Sequence, residues 1–316
     1  MKQLTTALGD YPHLRALLAG EVAIPGYELR PVEVRPIISA YRQMVRDLAF
    51  DVCELAPVTY LMALEAGVPI TGIPVFLNRR FHHGDLRCAL DSRIGVPADL
   101  NGRRVGVRAY SVSTGVWGRG VLHEEYGVDL DSITWVVDDD DHIEGRTPDN
   151  VQRVEDSLSA LLDRAAIDAA FTGNAGTGRA GAPRPGWAEP ANGDGSPYPL
   201  FADAAVLERD WYLRTGIYPL HSVIVLRREL VDVDPDLPSA LYAAFADSKR
   251  RQLAADPDWN DMPRLGRQTE QVGGDPIPYG QACNAASLAA LVRFSRDQHL
   301  VEGDLDLFAA GHYPDC

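Results

Sequence analysis

Short apolar runs alternate with stretches of helical periodicity along most of the chain, and this alternation limits the fold more than any other sequence feature. Runs of roughly four to eight apolar residues are typical of buried strands, whereas apolar residues three or four positions apart are typical of helices. Strands are predicted over 3–8, 27–34, 50–55, 70–76, 86–90, 104–108, 133–137, 169–172 and 222–226. This order of elements predicts an α/β fold.

The strand–helix pattern starts again after residue 92, which predicts a second α/β unit inside the chain. We expect two lobes, one formed by 1–91 and 222–316 and the other by 92–221, with two chain crossovers between them. In open sheets of this type, ligands bind beyond the carboxyl ends of the strands. The sequence therefore predicts a hinged protein that binds its ligand in the crevice between the lobes.

One segment, 173–200, differs from the rest because 12 of its 28 residues are Gly or Pro. Both residue types interrupt helices and strands. We expect a long, mobile surface loop without regular structure.

The charge of the chain restricts its partners. It carries 45 acidic and 30 basic residues, a formal net charge of −15. A field of this sign repels phosphate backbones and anionic lipid heads, so binding to nucleic acid or to a membrane is not expected. An anionic small molecule would bind only where local cations reverse that field.

The first residues, MKQLTTALGDYPHL, lack the apolar run of a secretory signal. The four cysteines are scattered, without metal-binding spacing, so reduced thiols are expected. They are Cys53, Cys88, Cys283 and Cys316. Together these features predict a cytoplasmic protein.

Several stretches, spread in order over most of the chain, resemble one family. They are GDYPHLRALLAG (9–20), FDVCELAP (50–57), IPVFLNRRFHH (73–83), DLNGRRVGVRAYSVSTGVWGRGVLHEEYGV (99–128) and WYLRTGIYPLHSVIVLRR (211–228). The chain resembles the 4,5-dihydroxyphthalate decarboxylase family, which has the two-lobed periplasmic-binding-protein-like type II fold. The resemblance implies that fold and a decarboxylase activity. The family usually has Arg where this chain has His82, and His where it has Ser222.

Anchors for an anionic ligand are predicted in two loops. Arg79 and Arg80 follow the strand 70–76, and a guanidinium there could hold a carboxylate through paired hydrogen bonds. The alternative is a solvated surface pair. Tyr110, Ser113 and Thr114 connect a strand to a helix, where first-turn N–H groups and hydroxyls can bind an anion. The alternative is that Ser113 only caps the helix, and we expect this cap in either case.

Further substrate contacts are expected after other strands. Asp10 and Tyr11 follow the first strand, and Asn174 follows the strand 169–172. Trp117 lies on the helix that carries much of the resemblance, and it completes the predicted contacts.

Four residues are candidates for proton transfer. His83 and His221 are candidate acids because imidazole exchanges its proton readily near neutral pH. Glu54 ends a buried strand, where a carboxylate either pairs with an Arg or His or acts on the ligand. His13 is the other candidate base, although it could instead lie on the surface of the first helix.

Two short segments could bind a divalent metal. The run Asp138-Asp139-Asp140-Asp141-His142 offers oxygen ligands, although a solvated loop is the more usual role of such a run. The segment His82-His83-x-Asp85 is a second, weaker candidate. Whether a metal is needed stays open.

Two classes of function compete. The first is non-oxidative decarboxylation of a hydroxylated aromatic acid by ring protonation, which requires no cofactor because the ring accepts the electrons. The second is a non-catalytic solute-binding protein or an intracellular sensor, with a biosynthetic enzyme of the thiamin-precursor type as a further alternative. For the decarboxylase and for the solute-binding protein or sensor, the expected partner is a small aromatic carboxylate. The sequence does not decide whether the chain forms a homo-oligomer.

Overall fold

The computed structural model describes residues 1–144, 146–177 and 197–314. The chain divides into two compact units. The first unit consists of Met1–Arg80, Gly216–Ala289 and Gly303–Cys316, and the second of Phe81–Thr215 and Ala290–Glu302. Each unit is built around its own sheet.

Each of the nine predicted strands is present, several of them shorter than predicted. The strands are β1 (Lys2–Ala7), β2 (Tyr27–Pro31), β3 (Val52–Leu55), β4 (Ile70–Ile73), β5 (Leu86–Cys88), β6 (Arg104–Gly106), β7 (Thr134–Val137), β8 (Val151–Arg153), β9 (Ala169–Phe171), β10 (Tyr198–Pro199) and β11 (Val223–Arg227). The helices are α1 (Arg15–Leu18), α2 (Ile38–Asp47), α3 (Pro57–Glu65), α4 (Ser113–Tyr126), α5 (Leu158–Asp163), α6 (Ala204–Thr215), α7 (Arg228–Val233), α8 (Leu237–Ala255), α9 (Pro263–Val272) and α10 (Ala285–Asp297).

The first sheet has the strand order β2-β1-β3-β11-β4. Strand β1 runs parallel to both β2 and β3, whereas β11 runs antiparallel to β3 and β4. The strand order reverses at β1, so the carboxyl ends of β1 and β3 form the switch point where such sheets bind ligands. Leu241 and Phe245 of α8 share a buried core with Leu4 and Val52 of the sheet.

The second sheet has the order β10-β5-β9-β6-β7-β8. Its switch point lies at β6, which runs parallel to β7 on one side and to β9 on the other. Leu158 and Leu162 of α5 share a core with Val136 and Ala170. Helix α4 approaches β9 closely, since a Cβ at Gly118 would lie 2.5 Å from the ring of Phe171.

The chain leaves the first sheet after β4 and returns to it at β11, as the two expected crossovers require, and it enters the second unit once more over 290–302. The unit boundaries differ from the predicted lobes at 81–91, 216–221 and 290–302. The first difference arises because β5 pairs with β9. Residues 290–302 belong to the second unit because Phe294 packs edge-on against Trp117 of α4, with ring centroids 5.6 Å apart.

Three local expectations are wrong. The sequence predicts a helix over 154–164, but strand β8 occupies 151–153 and α5 begins only at Leu158. The Pro- and Gly-rich connection between α8 and α10 is expected from the sequence to be irregular, but it contains α9. Pro263 lies at the start of α9 and Gly273 (φ 72°) after its end, a pairing typical of helix termini. The loop 173–200 contains a 3-10 turn and β10, and its residues 178–196 lie outside the described part.

Cys53 and Cys88 are free and buried, as expected for strand residues. Cys283 is disulfide-bonded, so the expectation of reduced thiols is wrong there. Within the described residues, no helix combines the length and the apolar character needed to cross a membrane.

Candidate active site

Glu54 organises the switch point of the first sheet. It ends β3 with 1% of its surface exposed. Its Oε2 accepts a hydrogen bond from the Gly9 amide (2.9 Å), and its Oε1 accepts from the phenols of Tyr11 (2.8 Å) and Tyr41 (3.3 Å). The carboxylate therefore pairs with tyrosines rather than with the Arg or His considered from the sequence, and it fixes the loop after β1.

Burial dominates the chemistry of this cluster. It raises the pKa of the Glu54 carboxyl, while the hydrogen bonds from Gly9, Tyr11 and Tyr41 act in the opposite direction. Burial and the neighbouring carboxylate raise the pKa of Tyr11 well above its ordinary value. Residue 9 must be Gly here, because a Cβ would lie 2.6 Å from the Tyr11 ring. Asp10 in the same loop is exposed.

His13 is a core residue, not a surface residue of the first helix. Its side chain is fully buried between Tyr11 and Trp259, with ring centroids 5.3 and 5.9 Å away. Neither ring nitrogen has a hydrogen-bond partner among the described residues. Burial, with nearby Lys249 and Arg264, lowers the pKa of His13 to about 3. The ring is therefore neutral at neutral pH and a weak base.

Arg79 is also buried, with 1% of its surface exposed. Its guanidinium donates to Asn284 Oδ1, to the Tyr218 carbonyl and to Ser287 Oγ (3.0 Å). It also lies 4.3 Å above the centroid of the Tyr218 ring. Arg79 therefore joins the segment before β11 and the start of α10 to the segment after β4, all within the first unit. Arg80 is half-buried.

Asn78 connects two groups beside Arg79. Its carbonyl accepts from the His221 amide (3.0 Å), and its Oδ1 accepts from Nη2 of Arg264 (2.7 Å). Because β11 runs antiparallel to β3, its start lies beside the carboxyl end of β3. His221, half-exposed just before β11, therefore lies at the same edge of the sheet as Glu54.

His83 belongs to the second unit. It is buried among aromatic side chains, 5.7 Å from the ring centroid of Phe201 and 5.6 Å from that of Trp211. Neither of its ring nitrogens has a hydrogen-bond partner among the residues described. Burial, with the neighbouring His82, lowers the pKa of His83 to about 4. This is the environment of a packed, neutral imidazole.

His83 should make the protein less stable in acid. Its pKa is about 4 when folded and 6.5 when exposed, so between these values the unfolded chain binds a proton that the folded chain does not. Unfolding is therefore favoured as the pH falls, by about 2 kcal/mol between about pH 7.5 and about pH 5. A His83→Phe variant lacks this effect. As the pH falls from about 7.5 to about 5, we expect its free energy of unfolding to rise relative to that of wild type by about 2 kcal/mol, measured by urea unfolding. A difference independent of pH would contradict the buried, neutral state of His83.

The remaining predicted contacts of the second unit lie around α4. Trp117 is fully buried, and the guanidinium of Arg119 covers the Tyr110 ring at 4.1 Å from its centroid. Both aromatic side chains thus pack inside the second unit. Ser113 and Thr114 form the buried first turn of α4. Asn174 lies in the 3-10 turn after β9, and its side chain is outside the described part.

The expected cap by Ser113 is wrong, because α4 begins at Ser113 and Val112 holds the cap position without a side-chain hydrogen bond. The neighbouring Ser111 binds Asp141 Oδ1 through its amide (2.8 Å) and its hydroxyl (2.6 Å). The loop before α4 is therefore fixed by a carboxylate from the loop after β7.

The four aspartates after β7 bind different partners. Asp138 accepts from the Leu158 amide (3.3 Å), Asp139 pairs with Arg108 (2.7 Å), Asp140 pairs with Arg153, and Asp141 binds Ser111. Nδ1 of His82 lies 2.7 Å from Asp85. Among the described residues, no group of three or more His, Cys, Asp or Glu is placed to hold a metal ion.

Comparison with known proteins identifies the family. The chain is 32% identical over 257 residues to the 4,5-dihydroxyphthalate decarboxylase of Comamonas testosteroni. The matched residues cover 78% of this chain and 74% of that protein. The chain belongs to the 4,5-dihydroxyphthalate decarboxylase family. The decarboxylase of the same name from Pseudomonas putida is 35% identical over 134 residues, 42% of this chain and 52% of that protein. No protein-family model matches the sequence.

Solved structures confirm the fold of this family member. The aliphatic sulphonate-binding protein SsuA of Escherichia coli matches with a TM-score of 0.51 at 13% identity, covering 97% of this chain and 91% of that chain. The sulfonate-binding SsuA protein of Methylobacillus flagellatus matches with a TM-score of 0.53 at 10% identity, covering 99% and 92%. The family member therefore has the two-lobed periplasmic-binding-protein-like α/β fold.

Two residues of the site were not predicted. Tyr41 lies on α2 among apolar residues, and nothing in its sequence position shows that its hydroxyl reaches Glu54. Arg264 lies on α9, in the connection expected to be irregular. The pairing of Pro263 with Gly273 could have revealed that helix.

Proposed function

We propose that this chain is a carboxy-lyase that removes one carboxylate, as carbon dioxide, from 4,5-dihydroxyphthalate or a closely similar hydroxylated aromatic acid. The observation that carries the proposal is its 32% identity, over 78% of its length, to a protein named for that reaction. The groups gathered at the switch point of the first sheet supply the chemistry that such a reaction needs.

The reaction can proceed through the aromatic ring alone. Each carboxylate of 4,5-dihydroxyphthalate has a hydroxyl para to it, and partial removal of that hydroxyl proton pushes electron density onto the ring carbon that bears the carboxylate. A general acid protonates this carbon. The carbon–carbon bond to the carboxylate then breaks, its electron pair returns to the ring, and carbon dioxide leaves. No external electron acceptor is consumed.

His221 is the proposed proton donor. It is half-exposed at the start of β11, whereas His13 and His83 are buried and their pKa values are lowered to about 3 and about 4. A group that stays neutral at neutral pH, with no route to solvent, is a poor acid for a substrate that enters from solvent. The exposure of His221 favours it over the two buried imidazoles.

Tyr11 and Glu54 form the proposed base. Tyr11 donates its phenol proton to Glu54 Oε1, so the lone pairs of its oxygen remain able to accept a proton from a substrate hydroxyl. The substrate proton would pass to the Tyr11 oxygen as the Tyr11 proton passes to Glu54. The raised pKa of Glu54 suits a carboxylate that accepts a proton during turnover. The substrate-binding roles of Asp10, Arg80, Ser113, Thr114 and Asn174 stay predictions.

Labelled decarboxylation tests the proposal. The purified protein is incubated with 4,5-dihydroxyphthalate in D₂O, with and without a chelator, and carbon dioxide and the ring product are measured. We expect carbon dioxide and 3,4-dihydroxybenzoate in equal amounts, with one deuterium at the carbon that lost its carboxylate.

The control is phthalate, which lacks the hydroxyls and should release no carbon dioxide. Binding of dihydroxyphthalate without any release would contradict the proposal and favour a solute-binding role. Loss of turnover only with the chelator would show that a metal ion takes part.

A further inference from the structure

Arg264 is a half-buried cation without an acidic partner. Its Nη1 donates to the Arg79 carbonyl (2.7 Å) and to Gln268 Oε1 (3.2 Å), and its Nη2 donates to Asn78 Oδ1 (2.7 Å). All three acceptors are neutral. No ion pair within residues 1–144, 146–177 and 197–314 involves Arg264.

Such a cation is costly unless an anion compensates it, because burial removes water from its charge. Burial lowers the pKa of Arg264, and the nearby guanidiniums of Arg80 and Arg267 lower it further. Three arginines are thus concentrated in one place on a chain whose net charge is −15. This is the local reversal of the field that an anionic ligand requires.

The neutral acceptors also orient the guanidinium. They engage three of its five N–H groups, so that Nε–H and one N–H of Nη2 have no partner in the described part of the chain. Two donors on adjacent nitrogens match the two oxygens of a carboxylate. Gln268, which also donates to the Arg79 carbonyl (2.9 Å), helps to hold this orientation.

Position connects Arg264 with the reacting groups. Asn78, which accepts from Arg264, also accepts from the amide of His221. Tyr11 and Tyr218 are close enough to interact electrostatically with the guanidinium. An anion bound by Arg264 would therefore lie beside the proposed donor and the proposed base.

The chemistry decides which carboxylate suits this site. An arginine stabilises a carboxylate anion, but the departing group becomes neutral carbon dioxide. Pairing the departing carboxylate with a guanidinium would thus stabilise the ground state more than the transition state and slow the reaction. The carboxylate that stays on the ring keeps its charge throughout and can be held at no such cost.

We propose that Arg264 binds the carboxylate that remains on the aromatic ring and thereby selects dicarboxylates as substrates. This assignment rests on the proposed function for its substrate class, but its test is a binding measurement that needs no turnover. It also predicts that the monocarboxylate product binds the same site and inhibits.

Calorimetric titration compares 3,4-dihydroxybenzoate with 3,4-dihydroxybenzamide, its neutral analogue. We expect wild type to prefer the acid by about ten- to a hundredfold, as for a charge-assisted pair. Arg264→Met should bind both alike, and Arg264→Lys should keep part of the preference. Arg267→Met, at an exposed position of the same helix, removes an equal charge from the local field and is the matched control. It should keep most of the preference.

The assignment is wrong if Arg264→Met still prefers the acid as wild type does, or if wild type shows no preference. It is also wrong if Arg267→Met loses the preference equally, since a diffuse field would then be responsible. Failure of the proposed function would give a different result. 3,4-Dihydroxybenzoate would still bind through Arg264, but dihydroxyphthalate would release no carbon dioxide.

Discussion

Replacement of Arg79 by Met is expected to lower the free energy of unfolding by about 2–4 kcal/mol. The guanidinium is buried and donates to Asn284, Ser287 and the Tyr218 carbonyl. Met fills much of the space but leaves Asn284 Oδ1 without its donor, and a buried polar group without a partner is costly. Ser287 Oγ still accepts from the Tyr218 amide and donates to the Tyr218 carbonyl, so these two groups lose only their charged donor. Urea unfolding monitored by circular dichroism measures the loss.

Arg80→Met is the matched control, since Arg80 is the next residue and only half-buried. We expect its free energy of unfolding to change by less than about 0.5–1 kcal/mol. If Arg79→Met were as stable as wild type and instead lost affinity for 3,4-dihydroxybenzoate, Arg79 would be a ligand-binding residue, as first considered from the sequence.

The sequence predicted the sheets better than the links between elements. Strands such as β3 and β4 are short apolar runs buried on both faces, so their own residues determine them. The three residues of β8 include the exposed Gln152 and Arg153, and they are a strand only because β7 pairs with them. That pairing is a long-range contact, which local periodicity does not contain.

The site could be predicted by position but not by side-chain direction. The loop after β1 and the end of β3 lie at the same edge of the sheet, because parallel neighbours end there, and ligand contacts were predicted after both strands. Whether a side chain enters the core depends on tertiary packing. His13 and Arg79 are buried by residues far away in the chain, Trp259 and Asn284, and this partnership is absent from local sequence.

Burial also distinguishes the two histidines considered as acids, His221 and His83. His221→Gln is expected to lower kcat for carbon dioxide release by about 10²–10⁴-fold, the usual contribution of a general acid. KM should change little, because the proposed carboxylate anchor, Arg264, is a different residue. His83→Phe should keep kcat close to wild type at a temperature where it is folded, since its imidazole is enclosed by Phe201 and Trp211.

Steady-state assays on both variants, each with its pH profile, decide between the histidines. If His221 is the acid, the basic limb of the wild-type kcat profile should disappear in His221→Gln and persist in His83→Phe. The reverse pattern, with turnover lost in His83→Phe and retained in His221→Gln, would assign the proton to His83. It would also require the aromatic cluster around His83 to open during the reaction, because the substrate cannot reach a ring that Phe201 and Trp211 cover.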